Sequence, residues 1–278
     1  RLDSTVQFPR QMTLGAIQND SLVYEMGKEI ARQCKRMGMQ INFAPVADVN
    51  NNPLNPVISN RSFGEDKYNV TRKALMYMKG MQDNGVLANA KHFPGHGDTD
   101  SDSHLTLPVV KASAQRLDTL ELYSFKKLIA EGLGSMMVAH LFIPALDTTS
   151  NQASTLTKSI VTGLLKEQLD FKGLIFTDAL NMKGVSKFYK PGELDLKALL
   201  AGNDVLLFAE DVPVAIKKIQ TAIDSGLKTQ DEIDARCMKI LRTKQWTGLN
   251  DYKKIPLKNL YEDLSTKEAE MINRKLTE

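Results

Sequence analysis

A chain of 278 residues can form one large domain or two small ones, and its 42% hydrophobic and 25% charged residues are ordinary for a soluble globular protein. Its 36 basic and 33 acidic side chains leave a net charge of +3 and are spread along the chain, which disfavours nucleic acid as a partner. No apolar run reaches the roughly 18 residues of a membrane span, and Cys34 and Cys237 form neither a metal-ligand spacing nor a disulfide framework.

Apolar periodicity predicts helices that alternate with five strands along the chain. The predicted helices span residues 21–37, 67–84, 112–132, 157–169, 211–225 and 229–244. The predicted strands span residues 39–48, 85–93, 134–140, 173–178 and 204–208. This alternation implies an α/β fold in which helices cover a parallel sheet.

Each predicted strand ends in polar side chains, namely Asp48, Lys91-His92, His140, Asp178 and, less clearly, Glu210. Polar ends on successive strands favour a (β/α)8 barrel of the TIM type over an open sheet. A barrel needs eight strands, so we expect the first strand or strands to be missing from this chain.

The chain starts at Arg1 without a methionine and ends inside a charged helical pattern, as a fragment of a longer protein would. We predict a barrel domain over residues 1–245, followed at 246–278 by a linker and the start of a further, C-terminal domain. The lack of a signal peptide therefore leaves the compartment open, with a periplasmic or secreted location favoured over a cytoplasmic one.

The loop at residues 91–104 carries three of the four histidines, His92, His96 and His104, together with three aspartates and two glycines. Such a loop at the end of a buried strand is typical of a catalytic site. The alternative is a surface loop with solvated acidic residues. His96, between two glycines, is expected to shape the loop by hydrogen bonding, and His140 to form part of the rim or of the substrate wall.

Asp178 ends an apolar strand, where a carboxylate can cap the next helix or face the site as a nucleophile or metal ligand. A metal-dependent hydrolase would bind its ion through the histidines and an aspartate. No His-x-His pair supports it, and Lys91 would repel a cation. Glycoside hydrolysis would use Asp178 as nucleophile and the Asp102-Ser-His104 segment as proton donor, because the carboxylate can orient the imidazole.

Three segments resemble glycoside hydrolase family 3, and within it the β-N-acetylglucosaminidase branch: Asn60–Asp66 (NRSFGED), Lys91–His104 (KHFPGHGDTDSDSH) and Phe176–Met182 (FTDALNM). The likeness runs from about Phe8 to about residue 245. It implies a (β/α)8 barrel that removes terminal β-linked N-acetylglucosamine with retention of configuration, without a metal or another cofactor.

The resemblance also implies roles for individual residues. Asp178 matches the nucleophile, and His104 with Asp102 matches the acid/base dyad of that branch. The positions that match substrate-binding residues are Arg61, Lys91, His92 and Met182. The family's acidic motif, whose aspartate also grips the sugar, would lie upstream of Arg1.

The expected partner is a carbohydrate, a glycan or muropeptide that contains N-acetylglucosamine, as in bacterial peptidoglycan recycling. Three alternatives stay open: a β-glucosidase of the same family, the metal-dependent hydrolase, and a carbohydrate-binding relative without activity. The sequence does not decide whether water or phosphate accepts the sugar.

Overall fold

The computed structural model describes residues 5–100, 106–149 and 151–278. Within these ranges it contains a parallel sheet of four strands, whose order in the sheet is their order in the chain. The strands are β1 (Ile41–Asn42), β2 (Leu87–Phe93), β3 (Ser135–Val138) and β4 (Leu174–Thr177). The predicted α/β fold with a parallel sheet is therefore confirmed.

The first strand is shorter than the predicted span of residues 39–48. Only Ile41 and Asn42 pair continuously with β2. Pro45 has no N–H to donate to a ladder, which interrupts the strand. Val46 then rejoins the sheet through a parallel bridge to Lys91. The chain therefore runs beside β2 as far as the carboxyl edge of the sheet.

The sheet curves strongly, but its edges do not meet. The ring of Phe43, just after β1, lies 5.4 Å from the ring of Phe176 in β4, centre to centre. A flat sheet would hold these strands about 14 Å apart, three spacings of about 4.8 Å. The predicted strand at 204–208 contributes one bridge, from Val205 to Phe176. No further strand of the described ranges joins the edges at β1 and Val205, so the closed eight-stranded barrel stays a prediction.

Helices pack around this sheet. The α-helices are α1 (Gln11–Gly15), α2 (Ser21–Arg36), α3 (Lys67–Gln82), α4 (Ala114–Arg116), α5 (Leu122–Ala130), α6 (Lys183–Ser186), α7 (Glu193–Ala201), α8 (Val212–Asp224), α9 (Gln230–Trp246), α10 (Leu260–Leu264) and α11 (Lys267–Lys275). Two π-helical segments are Leu117–Glu121 and Ser159–Gln168, and 3-10 turns lie at Ser59–Arg61, Ser154–Leu156 and Leu249–Asp251. All six predicted helices are confirmed, although π-helical turns replace α-helix within two of them. Helix α7 was not predicted, because it follows Pro191 and Gly192, a pair typical of loops.

The two faces of the strands bury different side chains. Ala90, Met136 and Ile175 belong to the main core, which they share with residues of α2, α3 and α5. Leu87 and Phe176 belong to a separate cluster on the concave side. Successive residues of a strand point to opposite faces. The strands are thus buried on both sides, and polar groups emerge where they end.

The C-terminal helices pack against α2. Leu264, Ala269 and Leu276 are buried, and Leu276 is part of the main core. Arg36 of α2 donates to the carboxylate of Asp263 at 2.8 Å. Residues 260–276 therefore pack onto the same core as the sheet. The division at residue 245 into a barrel domain and a following segment stays a prediction.

Candidate active site

Asp178, the predicted nucleophile, directly follows β4. Its N–H donates to the carbonyl of Val138 at 2.9 Å, and its Oδ1 accepts the N–H of Ala179 at 2.8 Å. Burial alone would raise the pKa of Asp178. The imidazoles of His92 and His140, the Ala179 N–H and the Lys91 ammonium outweigh burial and hold this pKa below its usual range. The carboxylate is therefore ionised at neutral pH, as a nucleophile must be.

Lys91 lies in β2, at the same edge of the sheet. Burial lowers its pKa to about 8, and the Arg61 guanidinium acts in the same direction. The carboxylates of Asp178 and Asp48 oppose that shift. Two cations and two anions therefore face one another here. Lys91 and Arg61 were both predicted at the substrate, and the structure brings them together.

Asp48 is fully buried and binds both the end of β2 and the loop that follows it. Its Oδ2 accepts the backbone N–H of His92 at 3.0 Å and lies 2.7 Å from Nδ1 of the same residue. Its Oδ1 accepts the backbone N–H of His96 at 2.7 Å. Burial would raise the pKa of Asp48, but His92 and His96 lower it below the usual range. The sequence places Asp48 at a strand end, but no motif assigns it a role.

Arg61 reaches this group from the 3-10 turn. Its Nη2 lies 3.3 Å from Nε2 of His92, and its Nη1 donates to the carbonyl of Val57 at 3.1 Å. The next residue, Ser62, donates its hydroxyl to the Asp48 carbonyl at 2.6 Å. The predicted substrate-binding residues Arg61, Lys91 and His92 therefore form one cluster with Asp48.

His96 lies in the same loop and is buried. Its Nδ1 is 2.7 Å from the Thr99 hydroxyl, and its carbonyl accepts the Asn55 amide at 2.8 Å. Burial lowers its pKa to about 4, with His92 acting in the same direction, so the ring is neutral at pH 7. These bonds agree with its predicted role in shaping the loop.

His140 is also fully buried, two residues after β3. Its Nε2 donates to the carbonyl of Ala179 at 3.0 Å, and its Nδ1 lies 2.7 Å from the Thr155 hydroxyl. Burial lowers the pKa of His140. His140 thus contacts the residue that follows Asp178, a contact that the sequence did not indicate.

Met182, predicted to bind substrate, is buried four residues after Asp178. Its N–H donates to the carbonyl of Ala179 at 3.1 Å. The proposed acid/base pair, Asp102 and His104, lies outside the described residues. Before that gap, the carboxylate of Asp98 pairs with Arg116 at 3.1 Å.

Among the described residues, no group of three or more His, Cys, Asp or Glu side chains could hold a metal ion. The expectation of a metal-free site stays a prediction. None of the helices in the described ranges is both long enough and apolar enough to cross a membrane.

Comparison with known proteins assigns the chain to an enzyme family. Residues 1–243 match the family described as glycosyl hydrolase family 3 N terminal domain. The chain is 32% identical over 268 residues to beta-hexosaminidase A of Pseudoalteromonas piscicida, covering 87% of this chain and 44% of that protein. It is 27% identical over 253 residues to a beta-N-acetylglucosaminidase/beta-glucosidase of Cellulomonas fimi, covering 88% and 45%.

The fold agrees with a solved relative. The structure of a family 3 beta-N-acetylglucosaminidase from Paenibacillus sp. str. FPU-7 superposes with a TM-score of 0.94 at 36% identity, covering 100% of this chain and 53% of that one. The chain thus spans about half the length of these relatives. The family match and the superposition identify the chain as a glycoside hydrolase domain. The chain belongs to glycosyl hydrolase family 3 and corresponds to the N-terminal domain of that family.

Proposed function

We propose that the protein is a retaining exo-β-N-acetylglucosaminidase with Asp178 as its nucleophile. The observation that carries this proposal is the ionised carboxylate of Asp178 at the end of β4, with Lys91, His92 and His140 around it. The names of the beta-hexosaminidase and beta-N-acetylglucosaminidase relatives support the sugar. The substrate would be a glycan or muropeptide with terminal β-linked N-acetylglucosamine.

In the first half of the reaction, an oxygen of Asp178 attacks the anomeric carbon and the bond to the leaving oxygen breaks. His104, oriented by Asp102, gives its proton to that oxygen. In the second half, His104 takes a proton from water, and the water oxygen displaces Asp178 from the sugar. Two inversions at the anomeric carbon retain the β configuration.

Arg61 and Lys91 would donate hydrogen bonds to the hydroxyl groups of the bound sugar, and His92 and Met182 would complete its binding site. Charged donors suit this task because hydrogen bonds to charged groups are stronger than neutral ones. Their convergence with Asp178 at one edge of the sheet supports these roles.

Trapping the covalent intermediate tests the nucleophile. A 5-fluoro N-acetylglucosaminyl fluoride keeps the 2-acetamido group and slows the second half-reaction, so the adduct accumulates. Mass spectrometry of a digest is expected to place the adduct on the peptide that contains Asp178. Asp178→Asn should abolish labelling. Asp170→Asn, which changes an exposed aspartate before the first residue of β4, should leave labelling intact. An adduct on Asp98 or Asp102 would refute the assignment.

A second candidate is β-glucosidase activity, favoured by the Cellulomonas fimi relative whose name carries both activities. Comparing kcat/KM for nitrophenyl β-N-acetylglucosaminide and nitrophenyl β-glucoside separates the two. A ratio above one supports the first function, and a ratio below one the second.

A further inference from the structure

The carboxylate of Asp48 is fully buried and makes three hydrogen bonds, two to His92 near the end of β2 and one to His96 in the loop that follows. It has no surface with which to touch a sugar. A buried carboxylate is costly unless its oxygens are satisfied. Here the charge is compensated by N–H groups of His92 and His96, so every hydrogen bond of the Asp48 carboxylate reaches the site through these two residues.

The contacts of His92 determine where its proton lies. An ionised carboxylate only accepts hydrogen bonds, so Nδ1 of His92 donates to Asp48 across 2.7 Å. A guanidinium only donates, so Nε2 of His92 accepts from Arg61 across 3.3 Å. Only the neutral imidazole with its proton on Nδ1 satisfies both contacts. An imidazolium would direct an N–H against the guanidinium of Arg61.

Arg61 is consequently held at two points, by the carbonyl of Val57 and by Nε2 of His92. We infer that Asp48 is a positioning residue, which fixes the Nδ1-protonated form of His92 and through it the guanidinium of Arg61 at the sugar-binding edge. The inference rests on the proposed function for the identity of the ligand. It adds Asp48, which does not contact that ligand, to the residues that determine how the sugar is bound.

The surroundings of His92 favour the same arrangement. Among the described residues, Lys91 and Arg61 are the cations that face His92, and their repulsion already contributes to lowering the pKa of Lys91. The described anions there are Asp48 and Asp178, and His96 is neutral. A third cation at His92 would add to the repulsion between Arg61 and Lys91. A neutral His92 leaves the two cations balanced by the two carboxylates.

The first test reads the tautomer directly. Two-bond ¹H–¹⁵N correlation spectra of the full-length protein at pH 7 should show His92 with its proton on Nδ1. Asp48→Ala removes the acceptor of the Nδ1 proton, so a population of His92 with its proton on Nε2 should appear. A wild-type His92 protonated on Nε2, or an unchanged spectrum in Asp48→Ala, would overturn the inference. This readout does not depend on enzyme activity.

The second test is a double-mutant cycle with nitrophenyl β-N-acetylglucosaminide. Asp48→Asn alone is expected to lower kcat/KM about 10- to 100-fold, the range for losing one hydrogen bond to a charged group. In an Arg61→Ala background the same change should cost less than about threefold, because the group that it positions is gone. Equal losses in both backgrounds would show that Asp48 does not act through Arg61, and would refute the inference.

Glu29→Gln is the matched control. Glu29 is a buried carboxylate in α2 that binds Arg32 and Gln33, away from the sheet edge. The Glu29→Gln variant should keep the wild-type kcat/KM even if its thermal unfolding temperature is lower than that of the wild type. If the wild-type protein hydrolyses no β-N-acetylglucosaminide, the proposed function is overturned. The role of Asp48 is still tested in that case, because the tautomer of His92 is read without substrate.

Discussion

His140 donates a hydrogen bond from Nε2 to the carbonyl of Ala179 at 3.0 Å. The N–H of Ala179 in turn donates to Oδ1 of Asp178 at 2.8 Å. The peptide units around Ala179 therefore connect a buried imidazole to one oxygen of the proposed nucleophile. The other imidazole nitrogen lies 2.7 Å from the Thr155 hydroxyl, which fixes the ring plane.

Replacing His140 should therefore impair catalysis, although His140 is fully buried and does not contact the sugar. His140→Phe keeps a ring but removes both hydrogen bonds, so the Ala179 carbonyl keeps only the N–H of Met182, and the lost bond costs about 0.5–1.5 kcal/mol. We expect kcat for nitrophenyl β-N-acetylglucosaminide to fall about tenfold, with a lower but still cooperative thermal unfolding transition. A kcat equal to that of the wild type would show that this contact does not position Asp178.

Lys91 should produce a loss of activity in mild alkali. Its pKa is lowered to about 8, so it is mostly charged below that pH and neutral above it. If the ammonium donates to sugar hydroxyls, kcat/KM for a nitrophenyl substrate should decline as pH rises through about 8. Lys91→Arg stays charged at these pH values. It should lack that decline even with lower overall activity, and persistence of the decline in Lys91→Arg would assign it to another group.

The proposed acid/base can be tested through the leaving group. Nitrophenolate departs without a proton, whereas the sugar alcohol released from a disaccharide needs one. His104→Ala should therefore slow hydrolysis of N,N′-diacetylchitobiose about 100- to 10,000-fold and that of a nitrophenyl substrate much less, in assays of the glycosylation step. Asp102→Ala should show the same pattern more mildly, because the imidazole remains without its orienting carboxylate. Equal losses on both substrates would make His104 a binding or structural residue.

The contact between α2 and the C-terminal segment should contribute to stability. Arg36 bonds to the Asp263 carboxylate and to the carbonyls of Pro256 and Lys258, at 2.8 to 2.9 Å. Arg36→Ala removes these three hydrogen bonds, each worth about 0.5–1.5 kcal/mol, and should lower the free energy of unfolding by about 1–3 kcal/mol in urea titrations.

Arg274→Ala is the control for that measurement. Arg274 pairs with Glu278 at an exposed position, and such pairs contribute only about 0–1 kcal/mol. We expect its unfolding midpoint to stay close to that of the wild type. If both variants lose the same stability, the Arg36 contacts add nothing beyond an exposed ion pair.

Local features of the sequence determined much of this protein. Apolar runs that end in polar residues predicted β2, β3 and β4 and placed Lys91, His140 and Asp178 where they end, because strand periodicity and breakers depend on near neighbours in the chain. The three motifs identified the family, which the comparisons confirm. The roles of Asp178, His104 and Asp102 were implied by that resemblance and stay predictions.

The tertiary structure alone decided which residues act on one another. Asp48 and His92 are 44 residues apart in the chain and meet because Val46 pairs with Lys91 across the β1–β2 ladder. No local pattern indicates such a partner, since it depends on the register between two strands. The packing of the C-terminal helices on α2 is likewise a long-range contact. A charged helical sequence there does not indicate this packing, which joins Arg36 to Asp263 across 227 residues of the chain.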